Sequence, residues 1–204
     1  MEKKVELTEV SGERIEVKIG GEFFTSYYFG KEVVRPYLHP LIGPTGKSVV
    51  RGYPLEDIPG ETKDHPHHKG LWVAHGDVNG VDNWSEEEGH GRVIHKEFLE
   101  LKEGAESVLI RTRNDWVSKE GEKTLEEERS IEIYDSSGGE RIIDLEVLFR
   151  ASEGEVKFGD TKEGGIVSVR MATSMDGDKG GKIENSEGGA GEKETWGKKA
   201  KWCG

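Results

Sequence analysis

The chain has 204 residues, with 32% hydrophobic residues against 34% charged and 29 glycines, which suits one domain of ordinary to large size or two small ones. A formal charge of −12 excludes a phosphate-neutralising nucleic-acid surface, which needs clustered Lys and Arg. A single cysteine, Cys203, excludes an internal disulfide and a cysteine-based metal site. No apolar run reaches the roughly 18 residues that a membrane helix requires, and the N-terminus MEKKVELTEVSGER lacks the apolar centre of a signal peptide. The expectation is a soluble, cytoplasmic protein that binds neither nucleic acid nor membrane; oligomeric state is left open.

Period-two alternation dominates. In ERIEVKIGGEFFTSYYF, Ile15, Val17 and Ile19 point one way and Glu16 and Lys18 the other, and Gly20-Gly21 predicts a hairpin turn. Residues 35–90 break the pattern, being rich in Pro, Gly, His and Trp, as functional loops are. RVIHKEFLELKEGAESVLIRTRNDWV predicts two strands joined at Lys102-Glu103-Gly104. KTLEEERSIEI has no apolar stripe at helical spacing and reads as a strand with solvated glutamates. RSIEIYDSSGGERIIDLEVLFRA predicts strands around Ser136–Gly139, with Ile143, Leu145, Val147 and Phe149 on one face, and GGIVSVRMAT predicts one more. The sum is an all-β antiparallel sandwich over residues 1–175. Residues 176–204 read as a Gly- and charge-rich linker or tail.

Four of the seven histidines fall within GETKDHPHHKGLWVAHGDVNG: His65, His67, His68 and His75. Imidazole titrates near neutrality and both takes and gives protons, so this cluster suits acid/base chemistry on a sugar. With residues 64–68 extended, His65 and His67 would face one side, and Asp64 and His68 the other. The candidate catalytic set is His65, His67, Asp64 and His75, with Asp64 orienting a ring nitrogen. Candidate substrate contacts are Arg51, His68, Trp72, Asn79, Asp82, Trp84, Glu163 and Arg170, the aromatic rings stacking on a sugar and the polar groups bonding its hydroxyls. No cofactor is needed for that chemistry. A second reading is a zinc or iron centre on His65, His67, His75 and Asp77, although no recognised ligand spacing such as H-E-x-x-H occurs. A third is a non-enzymatic binding or structural module whose histidines cap turns. His39 is assigned to loop packing, His90 and His95 to the surface, and Trp116, Trp196 and Trp202 to core or tail anchors. SEEEGHG, residues 85–91, reads as a solvated loop.

The run RPYLHPLIGPTGKSVVRGYPLEDIPGETKDHPHHKGLWVAHGDVNGVDNW resembles the PmoA-like family, often labelled "methane oxygenase PmoA". FGDTKEGGIVSVRM and NSEGGAGEKETWGKKAKWCG are similar to later segments of that family, so the likeness spans nearly the whole chain. It implies a fold similar to the galactose-mutarotase-like supersandwich, and a domain that continues beyond Gly204, leaving the C-terminal end of the sandwich incomplete. It also implies a small-molecule carbohydrate as partner. Methane oxidation is not expected, because nothing here can span a bilayer or build a strongly oxidising metal centre. A fold analogy does not establish function.

Overall fold

The computed structural model of the chain describes residues 5–136, 138–162 and 166–204. Among the described residues, ten strands form two antiparallel sheets. The first sheet contains β1 (Val5–Val10), β2 (Arg14–Ile19), β3 (Glu22–Tyr28), β4 (Tyr37–His39), β5 (Leu71–Val73) and β10 (Val167–Val169), in that spatial order. The second contains β6 (Arg92–Glu103), β7 (Ser107–Val117), β8 (Lys123–Asp135) and β9 (Arg141–Arg150), also in that order. Among the described residues, no helix is long and apolar enough to cross a membrane.

The alternation explains the layers. In β2, Ile15, Val17 and Ile19 are buried while the residues between them reach solvent. Gly20 and Gly21 take φ of 62° and 82°, the paired positive angles of a two-residue hairpin that right-twisted strands require. Across the gap, Val108 and Ile110 of β7 and Ile131 and Ile133 of β8 meet Val5, Ile15, Val17, Tyr27 and Leu38 in one core. A second core gathers Val73, Val78, Val93, Trp116 and Leu125. Two inward-facing apolar surfaces packed together make an all-β sandwich. The sequence reading omits β1, which pairs with β2 from Val5↔Ile19 to Val10↔Arg14, and also omits β4 and β5 inside the irregular segment.

A belt of polar side chains lies inside the second sheet's inner face. KTLEEERSIEI is a strand, but its glutamates are not all solvated. Glu127 is fully buried, and its carboxylate accepts bonds from Trp116 Nε1 at 2.6 Å, Asn114 Nδ2 at 3.2 Å and Arg129 Nε at 2.6 Å. Glu126 and Glu128 point out, pairing with Arg113 and Arg150. Strand parity forces this: once Leu125 and Ile131 face inward, Glu127 and Arg129 must do so too. His95 also departs from a surface assignment, its ring lying 4.7 Å from Phe29 and 4.5 Å from Phe98.

Residues 176–204 are shaped by local turns where the sequence suggests a linker. Asn185 Oδ1 accepts the Glu187 and Gly189 N–H groups, both at 3.0 Å, and Glu184 exchanges backbone bonds with Gly204. Trp116 is a core residue, whereas Trp196 and Trp202 are 77% and 58% exposed.

Candidate functional site

Sheet parity sends β4, β5 and β10 side chains to opposite faces. Tyr37 lies opposite Trp72, and Trp72 opposite Ser168. These residues therefore share the sheet's outer face, and Leu38 turns to the core between the sheets. Arg170 follows Ser168 by two residues and binds the Gly70 carbonyl through its own N–H at 2.9 Å. Gly70 is required there: its φ is +59°, and a Cβ would overlap the Leu38 carbonyl oxygen. On this outer face Tyr37, Trp72, Ala74 and Trp84 form a small buried cluster.

The histidine loop sits against that cluster. Residues 64–68 are not extended. His65 has φ of +43°, and His68 N–H bonds back to the His65 carbonyl at 3.0 Å, closing a turn. A non-glycine residue in the left-handed region before a proline is strained, and something must hold it. Arg51 does so. It is completely buried, and its guanidinium donates to the carbonyls of Thr62 (3.1 Å), Asp64 (2.7 Å), His65 (3.0 Å) and Tyr53 (3.3 Å) and to the Asp64 carboxylate. Arg51 is thus committed to the loop's own backbone, with its donors facing the protein. Arg35, also buried, serves the other side, donating to the Asn83, Trp84, Ser85 and His67 carbonyls. Glu86 joins Arg35 to Lys69, whose Nζ lies 2.8 Å away, so the 85–91 loop is tied down at that point.

The turn brings three histidines together. His65 and His68 stack at 4.8 Å with planes 10° apart, and His68 stacks on Trp72 at 5.1 Å. His67 meets His68 edge-on at 4.5 Å, and Trp84 closes the group 5.6 Å from His68. Asp64 links ring to cation: its Oδ2 is 3.0 Å from His65 Nδ1, and its Oδ1 accepts from Arg51 and from Arg170 Nη2 at 3.2 Å. Among the described residues, three buried polar atoms of this group have no hydrogen-bond partner: His68 Nε2, Trp72 Nε1 and Arg170 Nε. Trp72 itself is 2% exposed. Buried polar groups are rarely left unpaired, so each such atom calls for an explanation.

His75 lies apart from the other three. Its ring faces Phe158 at 5.2 Å, and its Nδ1 accepts the Asp77 N–H at 3.1 Å. Asp77 caps the Gly80 N–H, and Asn79 clamps the 155–157 segment through the Glu155 carbonyl and the Lys157 N–H. Asp82 caps the Trp84 and Ser85 N–H groups. His39 lies behind the loop, Nε2 3.2 Å from the Arg51 carbonyl oxygen. Glu163 lies outside the described residues. Among the described residues, no three His, Cys, Asp or Glu side chains are grouped so as to hold a metal. The set His65, His67, His75 and Asp77 is therefore not assembled, because the turn at 64–68 and the Asp77–Gly80 cap draw its halves to different partners. A surface groove of about 590 Å³ lies elsewhere, on the outer face of β7–β9, lined by Leu109, Arg111, Glu128, Asp144 and Leu148.

Residues 14–204 match the model of a family of unknown function, DUF6807. The chain belongs to DUF6807. That match replaces the PmoA-like likeness: short motifs such as DHPHH and DTKEGG suggested a family that the match over the chain does not support. No curated protein and no solved structure matches this DUF6807 member.

Charge states follow from the packing. Burial alone would raise the Asp64 carboxyl, but hydrogen bonds from Arg51 and His65 and the charge of Arg170 hold it below the usual range. Burial lowers the Arg35 guanidinium to about 10, so it stays charged. His67 is lowered by burial and by Arg35 and His65. His68 is lowered to about 3, by burial first and then by His67, His65, Arg170 and Arg51. Below its ordinary 6.5, an unfolded His68 takes up a proton that the folded one refuses until about pH 3, so stability falls as pH drops through that window. Discounted for partial solvent access, the loss from pH 7 to pH 4 is about 1–2 kcal/mol. Denaturant melts at the two pH values should show it, and His68→Phe, which keeps the ring, should reduce the slope. An unchanged slope would place the acid sensitivity elsewhere.

Proposed function

We propose that the loop of residues 64–68, with Trp72, Trp84 and Arg170, is a carbohydrate site in which His65 acts as general base and Asp64 orients it. The observation that carries this reading is the set of unpartnered buried atoms, His68 Nε2, Trp72 Nε1 and Arg170 Nε, beside a carboxylate–imidazole pair. These atoms lie just beneath the surface, and a polyhydroxylated ligand that shifts the side chains over them meets the set well, since each hydroxyl both donates and accepts. Arg170 Nε and Trp72 Nε1 can only donate, and the neutral His68 can do either.

Asp64 Oδ2 accepts the Nδ1–H of His65, which leaves the Nε2 lone pair free and stabilises the imidazolium once formed. His65 is 55% exposed, so a substrate can reach it. In a ring-opening step, His65 Nε2 takes the proton of the anomeric hydroxyl, the C–O bond to the ring oxygen breaks, and the His65 imidazolium returns that proton to the ring oxygen through a water molecule. Reversal from the other face of the carbonyl gives the second anomer. The Tyr37–Trp72–Trp84 cluster excludes water from one side of the histidine turn and strengthens the polar contacts there.

The test is a panel of reducing monosaccharides, followed by polarimetry for anomer exchange and by calorimetry for binding. His65→Ala should reduce any exchange by about 10²–10⁴-fold, the usual share of a general base. Because His65 is a surface side chain, stability should change by less than about 0.5 kcal/mol. Binding without exchange would reduce the reading to a carbohydrate-binding module, and no binding by any sugar would overturn it.

A further inference from the structure

The two edges of the four-stranded sheet differ. β6 is irregular, with register shifts after His95 and Phe98, and it is engaged by nearby segments at both ends: Val93 N–H bonds the Val34 carbonyl at 2.9 Å, and the Glu103 carboxylate accepts the Leu7 N–H of β1. β9 pairs with β8 in unbroken register from Asp135↔Arg141 to Glu126↔Arg150, and ends the sheet. Among the described residues nothing pairs with its other side. Its inward row, Ile143, Leu145, Val147 and Phe149, is only half-buried, and on the outer face Ile142 and Leu148 are each 45% exposed. Natural edge strands are normally blunted by bulges, inward charges or a covering segment. From Ile143 to Phe149, β9 has none of these.

We propose that β9 is an interface through which two copies of this chain pair antiparallel, about a twofold axis at Val147. Charge selects this partner and this register. With the axis at Val147, Asp144 of each copy faces Arg150 of the other, Leu145 faces Phe149, and Val147 faces its counterpart. Facing residues then share a sheet face, so the apolar inner rows run on from one copy into the next. An axis at Leu145 would set Asp144 against Glu146, and an axis at Glu146 would set that carboxylate against itself. An axis at Leu148 keeps opposite charges together but shortens the overlap to residues 146–150. The product is one eight-stranded sheet closed by symmetry, with both β9 edges consumed.

Sedimentation of the full chain from low micromolar to millimolar concentration tests this. A reversible monomer–dimer equilibrium is expected, with a dissociation constant on the order of 10 μM for so small an interface. Arg150→Asp sets two carboxylates against each other and should weaken dimerisation at least tenfold. Asp144→Arg with Arg150→Asp reverses both charges and should restore it, although both variants lose the Arg150–Glu128 contact equally. A chain that stays monomeric at every concentration overturns the proposal. So does a dimer indifferent to Arg150→Asp, a double variant that fails to recover, or open-ended growth instead of a dimer.

Discussion

Replacing Glu127 with alanine is expected to destabilise the fold by about 3–5 kcal/mol, the usual cost of removing one member of a buried ion pair. The change leaves Arg129, 2% exposed, without its carboxylate, strips Trp116 Nε1 of its acceptor, and leaves Asn114 Nδ2 only its bond to Thr112 Oγ1. A loss of that size is a large share of a domain's total stability, so much of the variant should be unfolded in mild denaturant. Glu126→Gln, on the opposite face of the same strand and bound to Arg113 in solvent, should cost less than about 0.5 kcal/mol. Replacing Glu127 and Arg129 together with methionines should recover much of the single loss, because no charge is then left buried alone. Urea melts of the four proteins decide it. A Glu127→Ala midpoint equal to wild type would mean that the pair is not buried as described.

The second large effect is expected at Arg51. Its guanidinium satisfies four backbone carbonyls and the Asp64 carboxylate, and no other side chain of similar size presents that many donors in one plane. Arg51→Met should cost about 2–4 kcal/mol and abolish sugar binding, because the strained His65 turn loses what holds it. Arg51→Lys should recover little of either, as one ammonium cannot span the fork. Arg170→Met gives the contrast, since Arg170 is partly exposed and bonds the loop through one nitrogen. It should weaken binding about tenfold while leaving the melt within about 1 kcal/mol. If Arg51→Met binds sugars as wild type does, the loop does not owe its shape to Arg51.

The strand pattern of Ile15, Val17 and Ile19, and the glycine pair after it, carried enough local information to place β2 and β3 and their turn. β4 and β5 were not legible. Each is three residues long, within Pro- and Gly-rich sequence, and exists because neighbours across the sheet complete it. Glu127 shows the limit of reading residues singly, since three glutamates in a row look solvated until strand parity turns the middle one inward. At the candidate site, clustering and residue type pointed to His65, His67 and His68. The positive φ of His65 depends on Arg51, fourteen residues away along the chain, which no local pattern encodes. Arg35 went unremarked for the same reason; its position before Pro36 was the one visible signal, and its four carbonyl partners come from residues 67–85. His75, Asp77 and Asn79 share the motif's sequence neighbourhood but bond to the 155–159 segment instead.

The most direct test of the site is an indole ¹H–¹⁵N spectrum recorded during titration with the monosaccharide panel. The five tryptophans give five side-chain N–H signals, assigned by single Trp→Phe variants. Trp72 Nε1–H has no partner among the described residues and lies in the site, whereas Trp116 Nε1–H is held by Glu127 at 2.6 Å. A bound sugar is expected to move the Trp72 signal and leave Trp116 in place, and His65→Ala and Arg170→Met should shift the titration to higher sugar concentration. A Trp72 signal that no sugar moves, or movement confined to the exposed Trp196 and Trp202, would contradict it.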